Sequence, residues 1–156
     1  MILITYKSHT GTTKKVVELI NSIFIAKEFE VELVEISEVK SIDKYDIIII
    51  GAPINGMRWL PEVSDFVSKN EISLKEKKVA SFALSYIIND GRKFWKNKVI
   101  RNFERIFKLV DPIDTMIFGG KLNQPMPAPA RLIFGLSKGI PLDYSDNNKI
   151  EQWEKT

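Results

Sequence analysis

Ser8-His9-Thr10-Gly11-Thr12-Thr13 joins the apolar run Ile2-Leu3-Ile4-Thr5-Tyr6 to a segment with helical periodicity, and the fold class follows from reading it correctly. Strand, tight turn and helix in immediate succession place backbone N–H groups at a helix N-terminus, where the helix dipole adds attraction for an anion. Ser8, Thr10, Thr12 and Thr13 bring four hydroxyl donors, and Gly11 opens backbone dihedrals closed to other residues. A hydroxyl serving only as a helix cap needs one such side chain, and this turn carries four. The stretch therefore reads as a phosphate cradle. It lacks the Lys-Ser/Thr ending of a Walker A loop and the three glycines of the dinucleotide fingerprint.

Outward from the turn, the chain alternates strand and helix. Residues 2–6 are a β-branched run suited to a strand buried on both faces, and Val16, Val17, Leu19, Ile20, Ile23 and Phe24 recur at helical spacing up to about Lys27. Glu30 to Glu35 reads as an edge strand. Ile47-Ile48-Ile49-Ile50 fits only a central strand, here ending at Gly51. Ala52 to Pro61 is a turn-rich loop, and Pro61 opens a helix through about Lys69. Val79 to Leu84 is a further buried strand, followed by a loop from Ser85 to Gly91. Arg92 to Val110 is an amphipathic helix with Phe94, Trp95, Val99, Phe103, Ile106 and Phe107 for its inner face, and Ile113 to Phe118 is a fifth strand. Beyond Gly119-Gly120 the pattern breaks at Pro125, Pro127 and Pro129. A short helix over Ala130 to Ser137 and a closing helix over Asn147 to Lys155, with Asp146 as N-cap and Trp153 turned inward, complete the reading.

Such alternation implies one doubly wound α/β domain over residues 1–156, with helices on both faces of a parallel sheet. Ligands of these sheets lie beyond the carboxyl ends of the strands. The loops after the first, third and fourth strands therefore converge on one edge.

Composition narrows the chemistry. The content of 44% hydrophobic and 28% charged residues suits a soluble globular protein, and no apolar stretch reaches the roughly 20 residues of a membrane span. The N-terminus has no signal-peptide pattern, so a cytoplasmic location is expected. With no cysteine and a single histidine, disulfides, thiol nucleophiles and zinc sites of the usual type are excluded. A net charge of +3, spread over helices and turns, does not argue for nucleic acid, although an anionic ligand or surface would be tolerated. His9 reads as a loop residue facing solvent, and Lys14 and Lys15 as a solvated helix face. No side chain stands out as a general base.

The hydroxyl turn resembles the phosphate loop of the flavodoxin family, Ser/Thr-x-Thr-Gly-x-Thr, at every specified position. The resemblance implies a flavodoxin-like five-stranded parallel sheet of order 2-1-3-4-5, with FMN at its switch point; flavodoxin is itself a standing illustration of that rule. It assigns Ser8, His9, Thr10, Gly11, Thr12 and Thr13 to the phosphate. Ser85-Tyr86 with Asp90-Gly91 is similar to the flavodoxin loop that stacks an aromatic on the isoalloxazine, which would make Tyr86 that aromatic. Ile87-Ile88-Asn89 departs from the small residues common there. Pro53, Ile54, Asn55 and Gly56, with Trp59 nearby, look like the other flavin-contacting loop, in which a glycine peptide can turn to meet N5 of the ring and tune its potential.

Flavodoxins that carry electrons are usually acidic, and this chain is basic. Ile50-Gly51-Ala52-Pro53-Ile54, Gly56, Phe66 and Gly119-Gly120 resemble the menaquinone-dependent protoporphyrinogen IX dehydrogenase group. That likeness implies an FMN-dependent oxidoreductase working with a small molecule or a quinone. The alternatives are an electron carrier serving a redox protein and a flavin-binding regulatory module. Arg131, Leu132, Ile133, Phe134, Leu136 and Lys138 mix apolar and basic character. Core packing is the favoured reading of this segment, and a peripheral membrane or partner contact the other.

Overall fold

The computed structural model describes residues 1–55, 57–120 and 128–134, together with residues 149 and 152. Five apolar or β-branched residues form β1 (Ile2–Tyr6), buried along its whole length. The turn then enters α1 (Thr12–Ala26), and the chain returns through β2 (Val31–Glu35). The isoleucine run becomes the centre of β3 (Ile47–Asn55). After the short strand β4 (Arg58–Trp59) come α2 (Pro61–Lys69), α3 (Glu71–Lys75) and β5 (Lys78–Ser85). A single turn, α4 (Ile87–Asp90), precedes α5 (Lys93–Phe107), β6 (Asp114–Gly119) and α6 (Ala128–Phe134).

The parallel strands lie in the order β2-β1-β3-β5-β6, which is 2-1-3-4-5 once the two-residue β4 is set aside as a hairpin partner of β3. In β3 successive side chains point to opposite faces, which explains why four isoleucines in a row are needed. Ile48 and Ile50 join Val63, Phe66 and Val67 of α2 and Val99, Phe103 and Phe107 of α5. Ile49, with Ile47 beside it, joins Val16, Val17 and Ile20 of α1. The sheet is thus covered on both faces.

Three sequence expectations change. The loop assigned to Ala52–Pro61 is mostly ordered: β3 continues past Gly51 because β5 still pairs with it through Pro53↔Leu84, and it then folds back so that Ile54 faces Trp59. β1 has by then ended at Tyr6↔Gly51, so one flank of β3 makes no ladder with it, and the missing N–H of Pro53 is tolerated there. Phe94, expected on the inner face of α5, stands exposed instead, and Val99, Phe103 and Phe107 form that face. The basic charge is also gathered. Residues 92–108 hold seven basic side chains and one acidic one, against a net charge of +3 for the chain, which leaves the remainder net negative. The expected closing helix over 147–155, with Asp146 and Trp153, lies outside the described residues, as do Leu136 and Lys138.

Candidate functional site

The loops after β1, β3 and β5 meet at the carboxyl edge of the sheet around an open cleft. His9, Thr10, Thr12 and Thr13 line it from the first loop, and Pro53, Ile54 and Asn55 from the end of β3. Tyr86 contributes from the loop after β5. Leu84 and Gly120 also line it and were not among the sequence candidates. The rule that ligands gather at strand ends, applied to the last two residues of β5 and to the residue after β6, would have found both.

The first loop is shaped by its own backbone. The Gly11 N–H donates to Ser8 Oγ at 3.1 Å, and Gly11 is the N-cap of α1 with φ +81°, a conformation that strains any residue with a Cβ. A side chain added there would meet no atom within 4 Å, so its absence leaves open space over the loop. The first intrahelical bond runs from the Lys15 N–H to the Gly11 carbonyl. The N–H groups of residues 12 to 14 thus have no acceptor within the helix, and no side chain caps them. The first turn of α1 contains no acidic residue, so nothing negative competes for this end of the dipole. Thr10 and Thr12 hydroxyls approach each other at 3.3 Å, and Thr13 is buried. Lys7, just before the turn, is engaged by Glu35 at 2.7 Å. That contact raises the Lys7 pKa and lowers that of Glu35, chiefly through the hydrogen bond itself.

The hairpin of β3 and β4 is held differently. Met57 adopts φ 65°, rare for a side chain of its type, and its carbonyl accepts a 2.7 Å hydrogen bond from the Asn102 amide on α5. Trp59 does not reach the cleft. It is 4% exposed and packs edge-on against Phe103 and Phe107 at 5.1 and 4.6 Å. The structure thus places this residue, expected beside the flavin, in the core, where the pairing of β4 with β3 turns it. Gly56 lies outside the described residues.

In the third loop Ser85 is buried at the end of β5, and Tyr86 is half-buried at the cleft wall and packs on the core. Burial pushes its phenol above the ordinary value, so the ring is neutral at physiological pH. The Gly91 N–H bonds to the Ile87 carbonyl at 2.8 Å, closing the α4 turn behind the loop, while the side chain of Asp90 lies outside the description. Gly120 sits against this loop so tightly that a Cβ would come within 3.0 Å of the Tyr86 nitrogen.

The donor set suits FMN: free helix N-terminal amides and hydroxyls at one end of the cleft, apolar walls and a neutral aromatic at the other. Among solved structures, the chain is similar to the two-electron reduced flavodoxin of Megasphaera elsdenii at 24% identity, with 84% of this chain and 91% of that one covered and a TM-score of 0.59. It is similar to the flavodoxin of Streptococcus pneumoniae TIGR4 at 16% identity, with 99% and 92% covered and a TM-score of 0.60. A flavoprotein of Lactobacillus acidophilus NCFM, solved in complex with FMN, aligns at 20% identity over 74% of this chain and 91% of that one, with a TM-score of 0.56. No curated protein matches the chain in sequence. Residues 3–129 match the flavodoxin domain family. With that match spanning most of its length, the chain belongs to the flavodoxin-domain family, an FMN-binding fold.

Proposed function

We propose that the cleft holds FMN with its phosphate on the Ser8–Thr13 turn and its ring between the β3–β4 hairpin and Tyr86, and that the chain is an FMN-dependent oxidoreductase. The observation that carries this reading is the α1 N-terminus: amides without helical acceptors, no acidic side chain in the first turn, and hydroxyls of Thr10, Thr12 and Thr13 on the same cleft wall. When bound, FMN supplies the electron chemistry. The chain's part is to hold and orient. Thr10, Thr12 and Thr13 bind the phosphate together with the α1 amides, Asn55 offers its amide to the polar edge of the ring, and Tyr86 presents a neutral face.

The finer reading is a reaction of the protoporphyrinogen or quinone type, in one domain over residues 1–156, in the cytoplasm and in peripheral contact with a membrane. The second reading, an electron carrier serving a redox protein, is favoured by the flavodoxins among its structural neighbours. Titration of the apoprotein should give one FMN per chain. Thr10→Ala combined with Thr13→Val should weaken FMN binding at least a hundredfold, taking about 1.5–3 kcal/mol for each hydrogen bond to a charged group, while riboflavin, which has no phosphate, should be little affected. Unchanged FMN affinity sinks the phosphate assignment. Steady turnover of a quinone or porphyrinogen decides for the enzyme; reduction of a protein acceptor with no quinone turnover decides for the carrier.

A further inference from the structure

Helix α5 carries a second organised surface. At 3.6 residues per turn, Phe94, Lys98, Arg101, Arg105 and Lys108 fall within about 40° of one line, opposite the buried Val99, Phe103 and Phe107. All five are exposed. Among the described residues, none of the four cations pairs with an acidic side chain. Lys98 lies over the Trp95 ring at 5.4 Å, and the Arg101 Nε–H donates to the Asn97 carbonyl, contacts that leave both charges uncompensated.

The stripe is bracketed by apolar groups. Beside Phe94, 62% exposed, stand Leu132 and Ile133 of α6, 72% and 54% exposed. The Trp95 indole N–H fixes α6 here by donating to the Ile133 carbonyl at 2.9 Å, with the Trp95 ring edge-on to both Phe134 and Phe94. Of Leu132, Ile133 and Phe134, the described apolar residues of this segment that were read as core packing, only Phe134 packs inward. Leu109 is partly exposed at the far end.

We propose that this face docks the protein on an anionic lipid surface. The proposal deepens the peripheral contact in the reading above, and it uses none of the residues assigned to the flavin. A folded acidic partner would place its apolar anchors at the centre of an interface and charge at the rim. Here charge occupies the middle and apolar groups the ends, over about 22 Å of helix. That arrangement suits a helix lying flat on headgroups, with Phe94, Leu132 and Ile133 dipping between them. α5 starts just beyond the Tyr86 loop, so this apolar end lies at the sheet edge that carries the cleft. A lipid-soluble electron acceptor would then meet the flavin from the membrane side.

The test is co-sedimentation of the full chain with phosphatidylcholine vesicles, with and without phosphatidylglycerol. Binding is expected only with phosphatidylglycerol and should weaken as salt rises. Each cation lost should cost roughly fivefold in affinity, so Lys98→Glu with Arg101→Glu and Arg105→Glu should reduce it more than a hundredfold. Phe94→Ala with Leu132→Ala should weaken binding while keeping its salt dependence. Unchanged far-ultraviolet circular dichroism and FMN affinity in these variants confirm that they fold. Equal binding to both vesicle types, or full binding by the charge-reversed variant, overturns the proposal. Capture by immobilised polyglutamate with no vesicle binding also overturns it, and assigns the face to an acidic protein. Vesicle binding by a chain that takes up no FMN would break the flavin reading and leave this one standing.

Discussion

The two ends of the cleft are built on opposite principles. The Ser8–Thr13 turn is held mainly by its own atoms, a serine hydroxyl on a glycine amide and a left-handed Gly11, and its threonines line the cleft. The β3–β4 hairpin is held from behind by another element, with Trp59 wedged against two phenylalanines of α5 and Asn102 gripping the Met57 carbonyl. In the proposed reading the first region would be organised around the phosphate. The second is part of the core and would bring a preformed geometry to the ligand, which lowers the ordering cost of binding.

If that contrast is right, Trp59→Ala should have the largest effect on stability, about 3–5 kcal/mol by urea unfolding, as for other large aromatics removed from cores. A loss below 1 kcal/mol would mean the hairpin is not part of the core. Next, Asn102→Leu leaves the Met57 carbonyl without its partner and should cost about 1–3 kcal/mol. It should also raise amide exchange at residues 57 to 59, in the apoprotein as well as the loaded form. Gly11→Val should cost only about 1–2 kcal/mol, the penalty of a Cβ at positive φ, yet should lower FMN affinity far more than Asn102→Leu does. The reverse ranking would break the comparison.

The smallest effect concerns the foot of the first loop, where Lys7 meets Glu35. The Glu35 pKa is lowered on folding, so its contribution is complete above the unfolded value and disappears as pH falls through the lower folded one. The Lys7 pKa is raised, so its contribution is present below its ordinary value and is lost only as pH rises through the folded one. The pair is therefore intact at neutral pH. The stability difference between Lys7→Met and the parent should close in acid, measured by urea melts at neutral pH and below the carboxylate range.

What the sequence discloses here is what is local. The phosphate turn is six consecutive residues between a strand and a helix, and Ile47–Ile50 announces a strand with two buried faces because no other element needs four such residues in succession. The core position of Trp59 is not legible in the sequence because its neighbours in space, Phe103 and Phe107, come from a distant helix, and because a two-residue strand is too short to show a period. The α5 stripe was hidden for the opposite reason. Its cations alternate with core residues along the chain, so a segment that lines four cations along one face reads as an ordinary mixed helix. Leu132 and Ile133 have the composition of a core helix, and only their exposure separates them from Phe134.

The burial of Trp59 also makes it an optical gauge. Among the described residues its indole nitrogen has no hydrogen-bond partner, and its ring is sealed from water, whereas Trp95 donates to a carbonyl and is only partly covered. The emission of Trp59 should therefore lie to the blue of that of Trp95 and shift red when the hairpin leaves α5, so that undocking of the ring end of the cleft can be followed by the protein's own light.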